Sequence, residues 1–153
     1  ILGIFLSTSA FHLFMKRSLP ELLAPVGSWE MLQAALKAKA DAIYFGIKGF
    51  NMRANARNFG IADLKKIVQI CHKQGVKAYL ALNVLIYEEE LSKVKTLLSK
   101  AKTAGIDALI CWDLSVITEA KKLKIPLHIS TQASIANSSA VSFYEKDGGN
   151  KMC

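Results

Sequence analysis

The residues best suited to chemistry sit at a few places along the chain. Phe50 to Phe59 reads FNMRANARNF, setting Arg53 and Arg57 between aromatics and amides, with Asn58 beside the second arginine. A guanidinium grips phosphate or carboxylate bidentately, so the two arginines suit an anionic ligand or, failing that, an acidic neighbour on their own loop. Farther on comes His128-Ile129-Ser130-Thr131-Gln132. Alternation along a strand sends His128, Ser130 and Gln132 to one side and Leu127 and Ile129 to the other. His128 then reads either as a general base or as a satisfied core histidine. Asn83, Asp113 and Asn137 complete the set, and Asp113 suits either acid–base work or the capping of a following helix. The catalytic candidates are therefore Asp113, His128 and Gln132. The substrate-binding candidates are Arg53, Arg57, Asn58, Asn83, Ser130, Thr131 and Asn137. No Ser-His-Asp order or nucleophile elbow is recognisable around Ser130. Cys71, Cys111 and Cys153 are widely spaced, with no CxxC pair, so they form neither a disulfide framework nor a metal site. Cys71 lies on an apolar helix stripe and Cys111 at a strand end, both readings of core residues.

These side chains need elements to position them, and from Pro20 onward short apolar runs alternate with helix-period segments. Strands are expected at Glu21–Ala24, Ala42–Gly46, Val76–Leu82, Asp107–Cys111 and Leu127–Ser130. Pro25-Val26-Gly27 should stop the first strand. Helices are expected after Ser28, where Leu32, Ala35 and Leu36 recur at i, i+3, i+4 spacing, and around Leu64, Ile67, Val68 and Cys71. Others span Glu88–Ala104, Leu114–Lys124, and Asn137 to about Asp147. Acids open the Glu88 helix and lysines close it, as the helix dipole favours. Lys39-Ala40-Asp41-Ala42, Gln74-Gly75-Val76-Lys77 and Ala104-Gly105-Ile106-Asp107 repeat one grammar, a helix end followed by a strand entered through a polar residue. Strands separated by helices imply a parallel sheet in an α/β fold. The first strand-to-helix turn lacks GxGxxG, which counts against a dinucleotide-binding open sheet. Five βα units are instead expected to be the first part of a TIM-type (β/α)₈ barrel, an incomplete one, since a whole barrel needs ~250 residues.

Of 153 residues, 52% are hydrophobic and 21% charged, which excludes disorder and predicts a packed core. Lys and Arg outnumber Asp and Glu by 20 to 12, giving +8; this allows a polyanionic partner such as RNA, although lysines on outer helix faces also simply solubilise. Residues 1–14 carry no acid or base and precede Met15-Lys16-Arg17. The charge follows the apolar run rather than preceding it, so a secretory signal is not expected, and the run is shorter than the ~18–20 residues of a membrane span. Residues 1–14 are read as a non-native or unstructured extension, with a short anchor as the rival, and residues 15–153 as the truncated N-terminal portion of the barrel. No stable membrane association and a reduced, cytoplasmic setting are expected.

Glu21 to Ser28 (ELLAPVGS), followed by Ala40 to Gly46 (ADAIYFG), resembles the collagenase-like peptidase family U-32. FNMRANARNF, the strand ending in Asn83, and His128 to Ala133 match in order and spacing, so the resemblance covers residues 19 to about 147. It implies a TIM-barrel-like catalytic domain and a peptidase, a hydrolase acting on protein or peptide. It equally implies an alternative, because the family includes enzymes that hydroxylate bases of tRNA or rRNA, or quinone precursors. Those bind an iron–sulfur cluster through cysteines that follow the fifth strand-helix unit, downstream of this stretch. The partner is accordingly a polypeptide or a structured RNA; a non-enzymatic RNA-binding role is a third option. The closing Asp147 to Cys153 does not read as the expected sixth strand, and Cys153 cannot be equated with a cluster ligand.

Overall fold

A computed structural model describes residues 20–50, 59–146 and 148–152. The extension at residues 1–14 and the arginine loop therefore lie outside the described residues. Six parallel strands form one sheet in chain order: β1 (Leu23–Val26), β2 (Ala42–Gly46), β3 (Lys77–Leu82), β4 (Ala108–Cys111), β5 (Leu127–Ile129) and β6 (Gly149–Met152). Five helices connect them: α1 (Trp29–Lys37), α2 (Leu64–Lys73), α3 (Leu91–Ala104), α4 (Leu114–Lys122) and α5 (Ser138–Lys146). Strict sequential order with a helix after each of the first five strands is a (β/α) barrel followed through five units and into a sixth strand.

Local chemistry explains the elements. Ser28 accepts a bond from the Met31 N–H and caps α1, whose Leu32, Ala35 and Leu36 are buried as their spacing requires. Gly105 ends α3 in the left-handed region at φ 83°, where a β-carbon would be strained. The repeated grammar before the strands has a physical role. The Asp41 carboxylate accepts the Leu22 N–H at 2.7 Å and that of Asp107 accepts the Ala78 N–H at 2.7 Å. Each acid at a strand entry thus pins the start of the strand before it in the sheet.

The sheet has two apolar faces. Ile43, Phe45, Leu80, Leu82, Leu109, Leu127 and Ile129 join the helices in the larger core. On the opposite, inner face Ala42, Tyr79, Ala81, Ala108 and Ile110 form a second cluster with Leu23 and Tyr44. Small side chains there leave room for strands to curl around a barrel interior.

Several boundaries differ from expectation, most by one or two residues. The first strand is Leu23–Val26 rather than Glu21–Ala24, and it runs through Pro25. A proline is tolerated there because β2 is the only strand paired with β1 among the described residues. Glu88–Glu90 is a 3₁₀ turn ahead of α3, and Ser130 caps another 3₁₀ turn, Thr131–Ala133, instead of extending β5. The closing stretch, expected not to match a sixth strand, does form one, in parallel with β5 across an irregular register at Leu127/His128. Gly149 allows it. A β-carbon at that position would stand 3.0 Å from both Ile129 Cγ1 and the Tyr144 carbonyl oxygen.

Candidate functional site

Three consecutive strands deliver polar side chains at their C-terminal ends, the face where barrel enzymes bind substrate. Asn83 follows β3, Trp112 and Asp113 follow β4, and Ser130 to Gln132 follow β5. Asn83 Nδ2 donates to Gln132 Oε1 at 3.4 Å, and Ser130 Oγ donates to the same oxygen in a short bond. Trp112 Nε1 donates to the Asn83 carbonyl at 3.1 Å, fixing the backbone that carries this amide. Ser130 is 4% exposed, whereas Thr131 and Gln132 are open to solvent. Asn83 Oδ1 is buried with no hydrogen-bond partner among the described residues. Such an acceptor is costly unless something satisfies it, which marks the Asn83–Gln132–Ser130 group as a candidate binding position on this face.

The other candidates are placed differently. Both Asp113 oxygens are engaged: Oδ1 accepts from the Ser115 N–H (2.8 Å), the Ser115 hydroxyl (2.6 Å) and the Val116 N–H, and Oδ2 from the Ile86 N–H at 3.2 Å. Of the two roles read for it, the structure fills that of the helix cap, and it also ties the loop after β3 to the start of α4. Asn137 accepts the Ala140 N–H at 2.9 Å and caps α5. Arg53, Arg57 and Asn58 lie outside the described residues.

His128 sits deeper, on the inner face. Its ring meets Tyr79 edge-on with centroids 4.7 Å apart, and the residue is 9% exposed. Burial lowers its pKa below the ordinary histidine value, and the Lys151 charge adds to the effect. Ser130 Oγ turns to Gln132 rather than to this imidazole. The geometry is that of a core histidine, with no nucleophile–base pair formed around it among the described residues.

Two features escaped the sequence reading. Trp112 was legible, since it continues the inward alternation of Ala108 and Ile110. The other, at the opposite end of the strands, is an ionic knot around Glu21. It accepts from Tyr79 Oη at 2.8 Å and lies 2.9 Å from Lys77 Nζ and 2.7 Å from Lys151 Nζ. Its carboxyl is pulled down to about 2, first by Lys151 and then by Lys77 and Tyr79, against an opposing cost of burial. No local pattern signals a contact between residues 130 positions apart.

Cys71 and Cys111 do not suit an iron–sulfur cluster. Cys71 and Cys111 are fully buried in the apolar core, and burial together with nearby Asp107 pushes the Cys71 thiol up to about 11. The described residues contain no group of three or more His, Cys, Asp or Glu able to hold a metal.

This arrangement defines a class, the (β/α)-barrel proteins with a polar site at the strand C-termini. The sequence profile of peptidase family U32 matches residues 27–153, and the chain belongs to that family. It is 45% identical over 127 residues to a collagenase of Porphyromonas gingivalis, covering 82% of this chain and 31% of that protein. It is 32% identical over 135 residues to tRNA hydroxylation protein P1 of Bacillus subtilis, covering 87% and 32%. To the 23S rRNA 5-hydroxycytidine C2501 synthase of Escherichia coli it is 35% identical over 118 residues, 75% of this chain and 17% of that one. The chain spans about a third of the length of the first two of these relatives. The structure of the U32 peptidase Mk0906 superposes with a TM-score of 0.69 at 12% identity, over 85% of this chain and 56% of that one, a likeness of fold.

Proposed function

We propose that this chain supplies substrate-binding strand ends to a hydrolase that cleaves polypeptide. The likeness to the P. gingivalis collagenase carries the reading, and the Asn83–Gln132–Ser130 group supports it. Carboxamides and a hydroxyl are the groups that pair with peptide N–H and C=O. In this reading these residues bind and orient the chain to be cut, because they form no nucleophile–base pair. Arg53 and Arg57 would hold a carboxylate of the substrate, and Thr131 and Gln132, at the open rim, would meet the chain first. The test is digestion of heat-denatured collagen by the intact protein. Cleavage that falls on substituting Asn83 supports the proposal, and intact substrate after prolonged incubation refutes it.

A second reading is favoured by the relatives named for tRNA and rRNA hydroxylation and by the net charge of +8. The same amides can pair with a base edge, and the arginines with phosphate. An iron–sulfur cluster in that enzyme would need cysteines other than Cys71 and Cys111. A deletion strain lacking a hydroxylated uridine or cytidine, found by nucleoside mass spectrometry, would select this reading over the first. Either chemistry fits a cytoplasmic protein, and no helix among the described residues is long and apolar enough to cross a membrane.

A further inference from the structure

Away from the strand ends, the charge of the outer helices is unevenly distributed. Helices α2 and α3 carry seven lysines and not one Asp or Glu between them. Elsewhere the signs mix, with Glu30 in α1, Glu119 in α4 and Glu145 in α5. Among the described residues two of the seven lysines have partners: Lys66 stands 4.7 Å over the Trp29 ring, and Lys102 donates to the Lys124 carbonyl at 2.9 Å.

Lys65 and Lys100 instead face each other across a cleft of about 430 Å³ between the start of α2 and the end of α3. The polar side chains lining it are these two lysines with Ser99 and Thr103; the rest are Ile61, Ala62, Leu64 and Ala104. Lys93 falls two helical turns before Lys100 and so on the same flank of α3. Solubility alone is served by interspersed signs, and a single-sign field costs self-repulsion. The cleft's polar side chains are two cations and two hydroxyls set among apolar ones, and although Asp63 ends the turn that forms one wall, neither α2 nor α3 carries an acid; that charge is complementary to a phosphate chain.

We propose that the α2–α3 cleft is a docking face for the phosphate backbone of RNA, with Lys65 and Lys100 as its contacts. The proposal rests on the second, RNA-directed reading of function but concerns binding alone, so it is tested apart from any modification of the RNA. The experiment measures binding of unfractionated tRNA to the intact protein at a series of salt concentrations. Three forms are compared: wild type, Lys65→Gln/Lys100→Gln, and a control of equal charge, Lys37→Gln/Lys146→Gln.

Each phosphate contact contributes close to one to the slope of log K against log salt. The cleft variant should therefore lose about two from the slope while the control keeps the wild-type value, and Lys65→Arg/Lys100→Arg should keep it as well. Equal losses in the cleft variant and the control would show diffuse charge and overturn the proposal. An unchanged slope in the cleft variant, or no binding by wild type, would do the same. Binding to anionic phosphatidylserine vesicles that depends on Lys65 and Lys100 while tRNA binding does not would assign the face to a membrane surface instead. Absence of a modified nucleoside defect, with cleft-dependent tRNA binding intact, would fail the hydroxylation reading and leave the docking face standing.

Discussion

Glu21 offers a quantitative test of how the N-terminal end of the barrel is held. The residue precedes β1, yet it joins Lys77 and Tyr79 of β3 to Lys151 of β6, so one carboxylate links the first and last described strands. Its pKa falls from an ordinary 4.5 to about 2. At about 1.4 kcal/mol per pH unit this sets a ceiling of about 3 kcal/mol. Lys77 and Lys151 are 58% and 47% exposed, so solvent screening reduces the expected contribution to about 1–2 kcal/mol. A carboxylate whose folded pKa is depressed stabilises above its unfolded value and loses that contribution as pH falls from about 4.5 toward 2. Glu21→Gln in the intact protein should thus lower the free energy of urea unfolding by about 1–2 kcal/mol at pH 7. The gap between the two forms should shrink to less than half by pH 3. No gap at pH 7, or one that stays constant down to pH 3, would refute the reasoning.

Other substitutions probe the remaining parts of the account. Gly149→Ala places a β-carbon against Ile129 and the Tyr144 carbonyl and should cost about 1–3 kcal/mol in thermal or urea unfolding, as overpacking does; a neutral result would show that β6 does not pack as described. Asp113→Ala removes a helix cap and the tie to Ile86, with an expected loss of about 1–2 kcal/mol that Asp113→Asn restores in part, since its one amide oxygen can cap the helix while its NH₂ cannot accept the Ile86 N–H. His128→Gln should lower the melting temperature more than it lowers turnover, since the ring packs on Tyr79; a variant that folds normally yet is inactive would move His128 from the scaffold into the chemistry.

Much of the fold was legible because buried parallel strands are near-continuous apolar runs. Ala42–Gly46 is recovered to the residue, and the four apolar positions of α2 are all buried. The missed strand, β6, has no such run: Gly149-Asn150-Lys151-Met152 is a strand through the pairing that β5 offers and a close approach that a β-carbon would crowd. The site divides in the same way. Alternation along β5 separated His128 from Leu127 and Ile129 and put Ser130 at the strand end, and strand ends marked Asn83 and Asp113. Their partners depended on geometry across strands. Nothing local shows that Gln132 reaches Asn83 from 49 residues away, or that Asp113, legible as a helix cap, also accepts the Ile86 N–H from 27 residues away.

The central claim is that the Asn83–Gln132–Ser130 group at the strand ends binds the substrate. Gln132 tests it most directly, because its side chain is exposed and its oxygen receives both of the other two. The measurement is kcat/KM of the intact protein for denatured-collagen cleavage, wild type against Gln132→Ala, with the melting temperature recorded alongside. Loss of one substrate hydrogen bond predicts a fall of about three- to ten-fold in a protein that still folds, with a small drop in melting temperature from the Ser130 hydroxyl left without its partner. Full activity in the Gln132→Ala protein would contradict the claim.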